Sequence, residues 1–155
     1  MALCRVIHLT LHKILKYGAI IHCTAEFVGH ITVCHGSSME PTIKGGDVVI
    51  VEKISINFQN IERGDVVLCR SPVDPRTLVM KRVTLIEGDV LDKTSTSPFL
   101  AKVPTGHVWL EGDNTEQSKD SNDYGPVPYG LLQGKVLLKV FPINRFGLLK
   151  DKCLD

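Results

Sequence analysis

Two adjacent serines, Ser37 and Ser38, lie in the stretch HGSSMEPTIKGGD (35–47) and are the first residues that suggest chemistry. A serine hydroxyl is a weak nucleophile at neutral pH, so it needs a nearby general base and donors for the developing oxyanion. No histidine–aspartate pair stands in a suitable arrangement near the two serines. The residue that would activate either hydroxyl must therefore be identified separately.

Histidine is the usual base for a serine, and two histidines follow residue 34. His35 lies three residues before Ser38 on a tight loop, and His107 begins an apolar stretch where a structural role is expected. A Ser–His pair also requires an acid that orients the ring, and no such acid is identifiable. A Ser–His–Asp arrangement is therefore not predicted.

Lysine is the second candidate base, and Lys81 has strongly apolar surroundings in TLVMKRVTLI (77–86). A lysine is a base only when neutral, and burial lowers its pKa from about 10.4 by about 3–5 units. Strand alternation places Lys81 on the face shared by Val79 and Val83, with Arg82 on the other face. The residues alone leave open whether Lys81 is a buried base or a solvated lysine on an exposed strand.

The five cysteines do not indicate a metal or disulfide site, because their number is odd and no C-x-x-C occurs. Cys34 precedes His35, which could suggest a cysteine nucleophile. Adjacent residues in a chain rarely face each other, so this interpretation is not favoured. Cys34 is therefore expected to be a small apolar residue at the end of an apolar segment. KGGD (44–47) lacks the spacing and the strand–helix context of a phosphate loop, so it is predicted to be a turn.

The chain after residue 40 consists of short stretches rich in Val, Ile and Leu, separated by Gly, Asp, Asn and Pro. Such stretches predict an antiparallel β-sandwich or barrel. Each Gly-Asp pair in GDVV (46–49 and 64–67) and GDV (88–90) is predicted to be a turn that leads into a strand. The segment 93–104 is predicted to be a surface loop. The predicted strands lie within 46–54, 63–72, 77–91, 106–113 and 134–142.

Residues 1–34 are predicted to form an N-terminal helical segment and 35–155 a β domain. Between residues 17 and 34 the only formal charge is Glu26. This window is barely long enough for a bilayer, which requires about 20 residues, and Glu26 costs about 2.5–3.5 kcal/mol in lipid. A membrane anchor is the preferred interpretation. An amphipathic helix on a membrane or on the domain, and a cleaved signal peptide, remain alternatives.

Length and charge exclude some classes of function. A chain of 155 residues suits one domain with an appendage, and 43% hydrophobic residues can form a packed core. The formal net charge is +1, and the chain has no long basic run. Nucleic acid is therefore not a predicted partner.

Five blocks in order resemble the type I signal peptidases, which are membrane-anchored endopeptidases with a serine and a lysine in the active site. The similarity covers residues 34–142, and within the family the chain is most similar to the mitochondrial branch. The blocks are SMEPT (38–42), GDVVIVEK (46–53), RGDVV (63–67), KRV followed by GD (81–89), and GDN with S-x-D-S (112–121).

The resemblance implies that Ser38, not Ser37, is the nucleophile and that Lys81 is the general base, so the mainly β domain would be catalytic. The Ser38 N–H would be one oxyanion donor. Some bacterial members carry a donating serine where this chain has Gly36, so backbone or water would provide the second donor. Met39 would pack near the two catalytic residues.

The resemblance also assigns supporting positions. Ser118 would hydrogen-bond the lysine and orient it. Asp113 would pair with Arg82, the neighbour of the base. Asp120 corresponds to the structural acid of the family, but Asn122 occupies the position of the arginine that usually pairs with it.

As a family member the chain would transfer an acyl group and would need no metal or organic cofactor. Its substrates would be precursor proteins whose sorting signals are removed on delivery to the mitochondrial intermembrane space. It would lie in the inner membrane with the catalytic domain facing that space, contact lipid through the N-terminal segment, and pair with a homologous second protease subunit. A catalytically silent, membrane-anchored β-module that scaffolds an active partner is the alternative, although it would not require both Ser38 and Lys81.

Overall fold

The computed structural model describes residues 2–91 and 102–149, which form an antiparallel sheet preceded by one long helix. A π-helical turn (Thr24–Val28) connects that helix to the first strand. The helices are α1 (Ala2–Cys23), α2 (Ile54–Asn57) and α3 (Ser121–Tyr124). The strands are β1 (Gly29–Val33), β2 (Val48–Glu52), β3 (Val66–Arg70), β4 (Leu78–Leu85), β5 (His107–Glu111), β6 (Val127–Pro128), β7 (Leu132–Phe141) and β8 (Gly147–Leu148).

The strand order is β1-β2-β7-β3-β4-β5-β6, with β8 paired to β7, and all pairs are antiparallel. The central strand β3 is apolar at consecutive positions because both of its faces are buried. Val66 and Leu68 pack into one core cluster, whereas Val67 and Cys69 pack into a second cluster on the other face. The predicted mainly antiparallel β fold is confirmed.

Four of the five predicted strand segments contain a strand, β2, β3, β4 or β5, and the fifth overlaps β7, which begins two residues earlier, at Leu132. The strands β1, β6 and β8 lie outside those segments. Most of the predicted surface loop at 93–104 lies outside the described residues. At its end, Lys102 forms an isolated bridge with Val90, and Val103 is buried.

The N-terminal helical segment is shorter than the predicted range of 1–34. Helical backbone ends at Val28, and Gly29–Val33 forms the edge strand that pairs with β2. The β-branched residues of GHITV favour a strand, and its last residue leads into Cys34, which is buried in the core. Among the described residues, no helix combines the length and the apolar character needed to cross a membrane.

The three Gly-Asp pairs form the same turn, as predicted. Gly46, Gly64 and Gly88 have φ values of +90°, +93° and +87°, a conformation that favours glycine. Each following aspartate carboxylate accepts a hydrogen bond from the backbone N–H three residues earlier. These bonds are Lys44 N to Asp47 Oδ2 at 3.0 Å, Glu62 N to Asp65 Oδ2 at 2.9 Å and Ile86 N to Asp89 Oδ2 at 2.8 Å.

Candidate active site

Ser38 lies on the loop between β1 and β2 and lines a cleft of about 760 Å³. The walls of the cleft are two chain segments, 32–36 and 77–80, and the second segment leads directly to Lys81 on β4. The remaining lining residues are the apolar side chains of Met39, Ile43 and Leu68. The cleft is therefore an apolar channel with the serine beside it.

Lys81 is buried, with 2% of its surface exposed. It lies opposite Val67 in the β3–β4 register, and the neighbouring residue Cys69 on β3 has a thiol pKa raised to about 12 by burial. Burial lowers the pKa of the Lys81 amine, and the Asp120 carboxylate opposes this with a smaller raising effect. The surroundings therefore shift the equilibrium of Lys81 towards the neutral amine, which is the form that a general base requires.

A hydrogen-bond chain fixes the orientation of the Lys81 amine. Nζ donates to Ser118 Oγ at 2.5 Å, and Ser118 Oγ donates to Asp120 Oδ2 at 2.9 Å. Because the hydroxyl proton of Ser118 is directed to Asp120, Ser118 can only accept a hydrogen bond from Nζ. Nζ therefore contributes an N–H to this contact, and the lone pair of a neutral amine remains available elsewhere.

Gly112 brings this chain against the loop that carries Ser38. A Cβ atom at Gly112 would lie 2.3 Å from Ser118 Oγ and 2.6 Å from the carbonyl oxygen of Ser38. No side chain fits at these distances, so the close approach requires glycine. The hydrogen-bond partner of Lys81 and the backbone of Ser38 thus lie against the same residue.

Arg82 and Asp113 form a buried ion pair beside the base, and each side chain is only 4% exposed. Arg82 donates Nε to Asp113 Oδ1 at 2.8 Å and a terminal nitrogen to Oδ2 at 2.7 Å. The Thr42 hydroxyl donates to Asp113 Oδ2 at 2.5 Å. The pair therefore connects strand β4, which carries Lys81, to the loop that carries Ser38.

Asp120 also organises the segment around Ser118. It caps α3 by accepting a hydrogen bond from Asn122 N at 3.1 Å, and it accepts another from Gly112 N at 3.1 Å. Asn122 Nδ2 donates to Asp120 Oδ1 at 3.0 Å, so a neutral amide provides a contact from the position where an arginine was expected.

Gly36 and Met39 lie on the same loop as Ser38. Gly36 lines the cleft with a φ of +88°, and Met39 is 4% exposed within the core cluster beneath the cleft. The structure therefore brings all eight candidate residues into the same part of the sheet.

A known protein family matches most of this chain. The family described as "Signal peptidase, peptidase S26" matches residues 7–95 and 90–141. The chain belongs to this family. The mouse mitochondrial inner membrane protease subunit 1 is 49% identical over 140 residues, covering 88% of this chain and 84% of that protein. The predicted similarity to the mitochondrial branch is confirmed.

A subunit 2 and one solved structure are less similar to this chain in sequence. Mouse mitochondrial inner membrane protease subunit 2 is 38% identical over 121 residues, covering 75% of this chain and 69% of its own. The crystal structure of a signal peptidase I from Enterococcus faecalis aligns at 21% identity with a TM-score of 0.40, covering 48% of this chain and 95% of that one.

The two histidines that were considered as bases, His35 and His107, contact nearby backbone carbonyl groups. Nδ1 of the exposed His35 lies 3.2 Å from the Val33 carbonyl oxygen, and His107 Nδ1 lies 2.9 Å from that of Thr105. Burial raises the pKa of the Cys34 thiol to about 11, which disfavours the thiolate that a nucleophile requires. Among the described residues, no group of three or more metal-ligating side chains occurs.

Sequence analysis missed residues that hold the serine loop. Asn114 donates its backbone N–H to the Ser38 carbonyl at 3.0 Å and its side-chain amide to the Ser37 carbonyl at 3.2 Å. Gln117 Oε1 accepts from the Ser37 hydroxyl at 2.5 Å. Both residues follow Gly112 closely in the chain, so the block that begins with GDN at residue 112 was the available signal.

Proposed function

We propose that this chain is a serine endopeptidase in which Ser38 is the nucleophile and Lys81 is the general base. The observation that carries the proposal is the buried amine of Lys81, whose pKa is lowered and whose partner Ser118 lies against the same glycine as Ser38. A neutral amine held beside a cleft-lining serine is what a Ser–Lys peptidase requires.

The proposed reaction proceeds through an acyl-enzyme. Ser38 Oγ attacks the scissile carbonyl carbon while Lys81 Nζ takes the hydroxyl proton, and the Ser38 N–H stabilises the oxyanion. The C–N bond then breaks as the Lys81 ammonium returns the proton to the leaving amine. In the second half, Lys81 removes a proton from water, which attacks the ester and releases the new carboxyl end and Ser38.

The cleft supports binding of an extended peptide. Its walls, 32–36 and 77–80, are extended segments at the ends of β1 and β4, so a peptide between them can form main-chain hydrogen bonds as an added strand. The apolar lining suits a short apolar side chain before the scissile bond. We place this bond beside Ser38, the serine that lines the cleft.

The proposed substrates are precursor proteins whose sorting signals are cut off on delivery to the mitochondrial intermembrane space. The relatives named as subunits of the mitochondrial inner membrane protease support this assignment. Because they include a subunit 1 and a subunit 2, we propose a homologous second subunit as partner. We also propose that α1, whose described side chains are exposed, contacts lipid of the inner membrane.

The dyad is tested by cleavage of such a precursor by membranes that contain the full chain. Ser38→Ala and Lys81→Ala should each reduce the rate by at least about a thousandfold, as removal of a nucleophile or its base does in serine peptidases. Lys44→Ala, which changes an exposed lysine on the same loop, should leave the rate unchanged. Undiminished cleavage by Lys81→Ala would show that Lys81 is not the base.

A mechanism-based acylating inhibitor distinguishes the peptidase from a silent β-module. The wild-type chain should become covalently labelled at Ser38, and Ser38→Ala should not be labelled. Cleavage that survives in membranes with Ser38→Ala, together with an unlabelled wild-type chain, would assign the activity to a partner subunit.

A further inference from the structure

We infer that Lys139 is a positioning residue that holds the loop between β1 and β2 in its reactive conformation. This loop carries Ser38 and is called the catalytic loop below. This inference rests on the proposed function, because it assigns Lys139 a role in presenting Ser38. Lys139 lies on β7 and is 7% exposed. Its Nζ donates to the carbonyl oxygen of Thr42 at 2.5 Å, a contact between residues 97 positions apart.

The charge of Lys139 is compensated inside the fold. Nζ lies 3.3 Å from Asp47 Oδ2, and Asp47 is fully buried. Arg145 pairs with the other carboxylate oxygen of Asp47 at 2.9 Å. Because a buried ammonium is stable only when it is paired and hydrogen-bonded, Asp47 and Thr42 together account for a charged side chain at this position.

The catalytic loop is held at both ends. At its end, the Thr42 carbonyl accepts from Lys139 and the Thr42 hydroxyl donates to Asp113. At its beginning, Asn114 donates to the Ser37 and Ser38 carbonyls. The residues between these contacts are therefore fixed relative to the two buried ion pairs.

Lys139 also supports one wall of the cleft, the segment 32–36, through Asp47. The backbone of Asp47 accepts a hydrogen bond from the segment that lines the cleft, since Cys34 N donates to Asp47 O at 2.7 Å. Gly46 N donates in turn to the Cys34 carbonyl at 2.9 Å. Loss of the Lys139 ammonium would release the Thr42 carbonyl and leave the buried Asp47 carboxylate with Arg145 as its remaining cationic partner among the described residues.

Lys135 provides a matched control on the same strand. It pairs with Asp65 of the second Gly-Asp turn at 2.7 Å, as Lys139 pairs with Asp47 of the first turn. The pair differs in its surroundings, because the turn at Asp65 lies between α2 and β3 and not on the loop that carries Ser38. Effects that appear only at Lys139 therefore report on the catalytic loop.

The experiment compares Lys139→Met with Lys135→Met in the full chain. Lys139→Met should lower kcat by roughly tenfold or more with KM within about twofold, because a small displacement of a nucleophile slows the chemical step. The pH at which activity rises should not move, because Lys81 is untouched. Lys139→Arg should restore part of kcat, and Lys135→Met should keep the wild-type kcat.

Hydrogen exchange provides a readout that does not depend on activity. The Ile43 amide, which donates to the Met39 carbonyl at 2.9 Å, should lose protection in Lys139→Met and keep it in Lys135→Met. Unchanged kcat and protection in Lys139→Met, or equal losses of kcat in both variants, would overturn the inference. If the wild-type chain is not labelled at Ser38, the proposed function fails, and the exchange comparison still decides whether Lys139 holds the loop.

Discussion

At the scale of single residues, Asp120 acts on Lys81 in two opposite ways. By accepting the Ser118 proton, it makes Ser118 an acceptor for Nζ and so sets the direction of the lone pair. By its negative charge, it raises the pKa of the Lys81 amine and favours the ammonium ion. Burial has the larger effect, so the pKa remains below its ordinary value.

Asp120→Asn separates these two effects. Removal of a negative charge disfavours the ammonium ion, so the pKa of Lys81 should fall further and the acidic limb of kcat/KM should move to lower pH. The plateau should decrease because the orienting contact is weaker. Asp123, which also raises the pKa of Lys81, is unchanged in this variant. The pH dependence of precursor cleavage measures both, with Asp89→Asn as a distant control. A limb that stays in place or moves to higher pH would contradict this assignment.

At the scale of elements, one turn design is used three times, and two of its copies start strands β2 and β3. The first copy, at Gly46, is also the end of the loop that carries Ser38. Its geometry depends on a positive φ at the glycine and on an aspartate that binds the backbone three residues back. A short sequence thus determines where β2 and β3 begin.

Neighbouring glycines test this requirement. Gly46→Ala should reduce the free energy of unfolding by about 1–2 kcal/mol, because φ is +90° and open space around the position leaves backbone strain as the cause. Gly45→Ala should change it by less than about 0.5 kcal/mol, since its Cβ would meet the Gly36 carbonyl oxygen at an ordinary 3.6 Å. Urea unfolding measures both variants. Equal destabilisation would mean that the turn does not depend on the positive φ.

The same local signals explain how much the sequence could predict. Gly-Asp turns and runs of Val, Ile and Leu are contiguous patterns, so strands β2, β3, β4, β5 and β7 were predictable from them. β1 was not, because GHITV follows an apolar helix directly and continues its hydrophobic character. The contact between Lys139 and Thr42 has no local signal at all, because only the folded sheet brings together residues 97 positions apart.

At the scale of the whole molecule, α1 differs from the sheet because its described side chains are exposed and not buried in a core. Its described side chains are exposed, including Ile14, Leu15 and Ile21, which are 64%, 74% and 69% exposed. The sheet has three core clusters among the described residues, and none of them includes a residue of α1. We therefore expect the helix to contribute to membrane contact and little to the stability of the fold.

Removal of residues 2–23 tests this division. The shortened chain should lose co-sedimentation with liposomes of inner-membrane lipids, because the exposed apolar residues of α1 would be gone. Its thermal midpoint should shift by less than about 4 °C, which corresponds to about 1 kcal/mol in a domain of this size. Liposome binding equal to that of the full chain would show that another surface contacts lipid.

The edge strand β1 sets a distance between the helical segment and Ser38, the proposed nucleophile. The π-helical turn ends at Val28, β1 is hydrogen-bonded to β2 along its length, and Ser38 follows five residues after Val33. Five residues of strand span roughly 16 Å, and pairing with the sheet prevents this span from stretching or folding back. If α1 lies on a bilayer, the proposed nucleophile Ser38 stands at a fixed height above the lipid, and only a scissile bond held at that height would reach it.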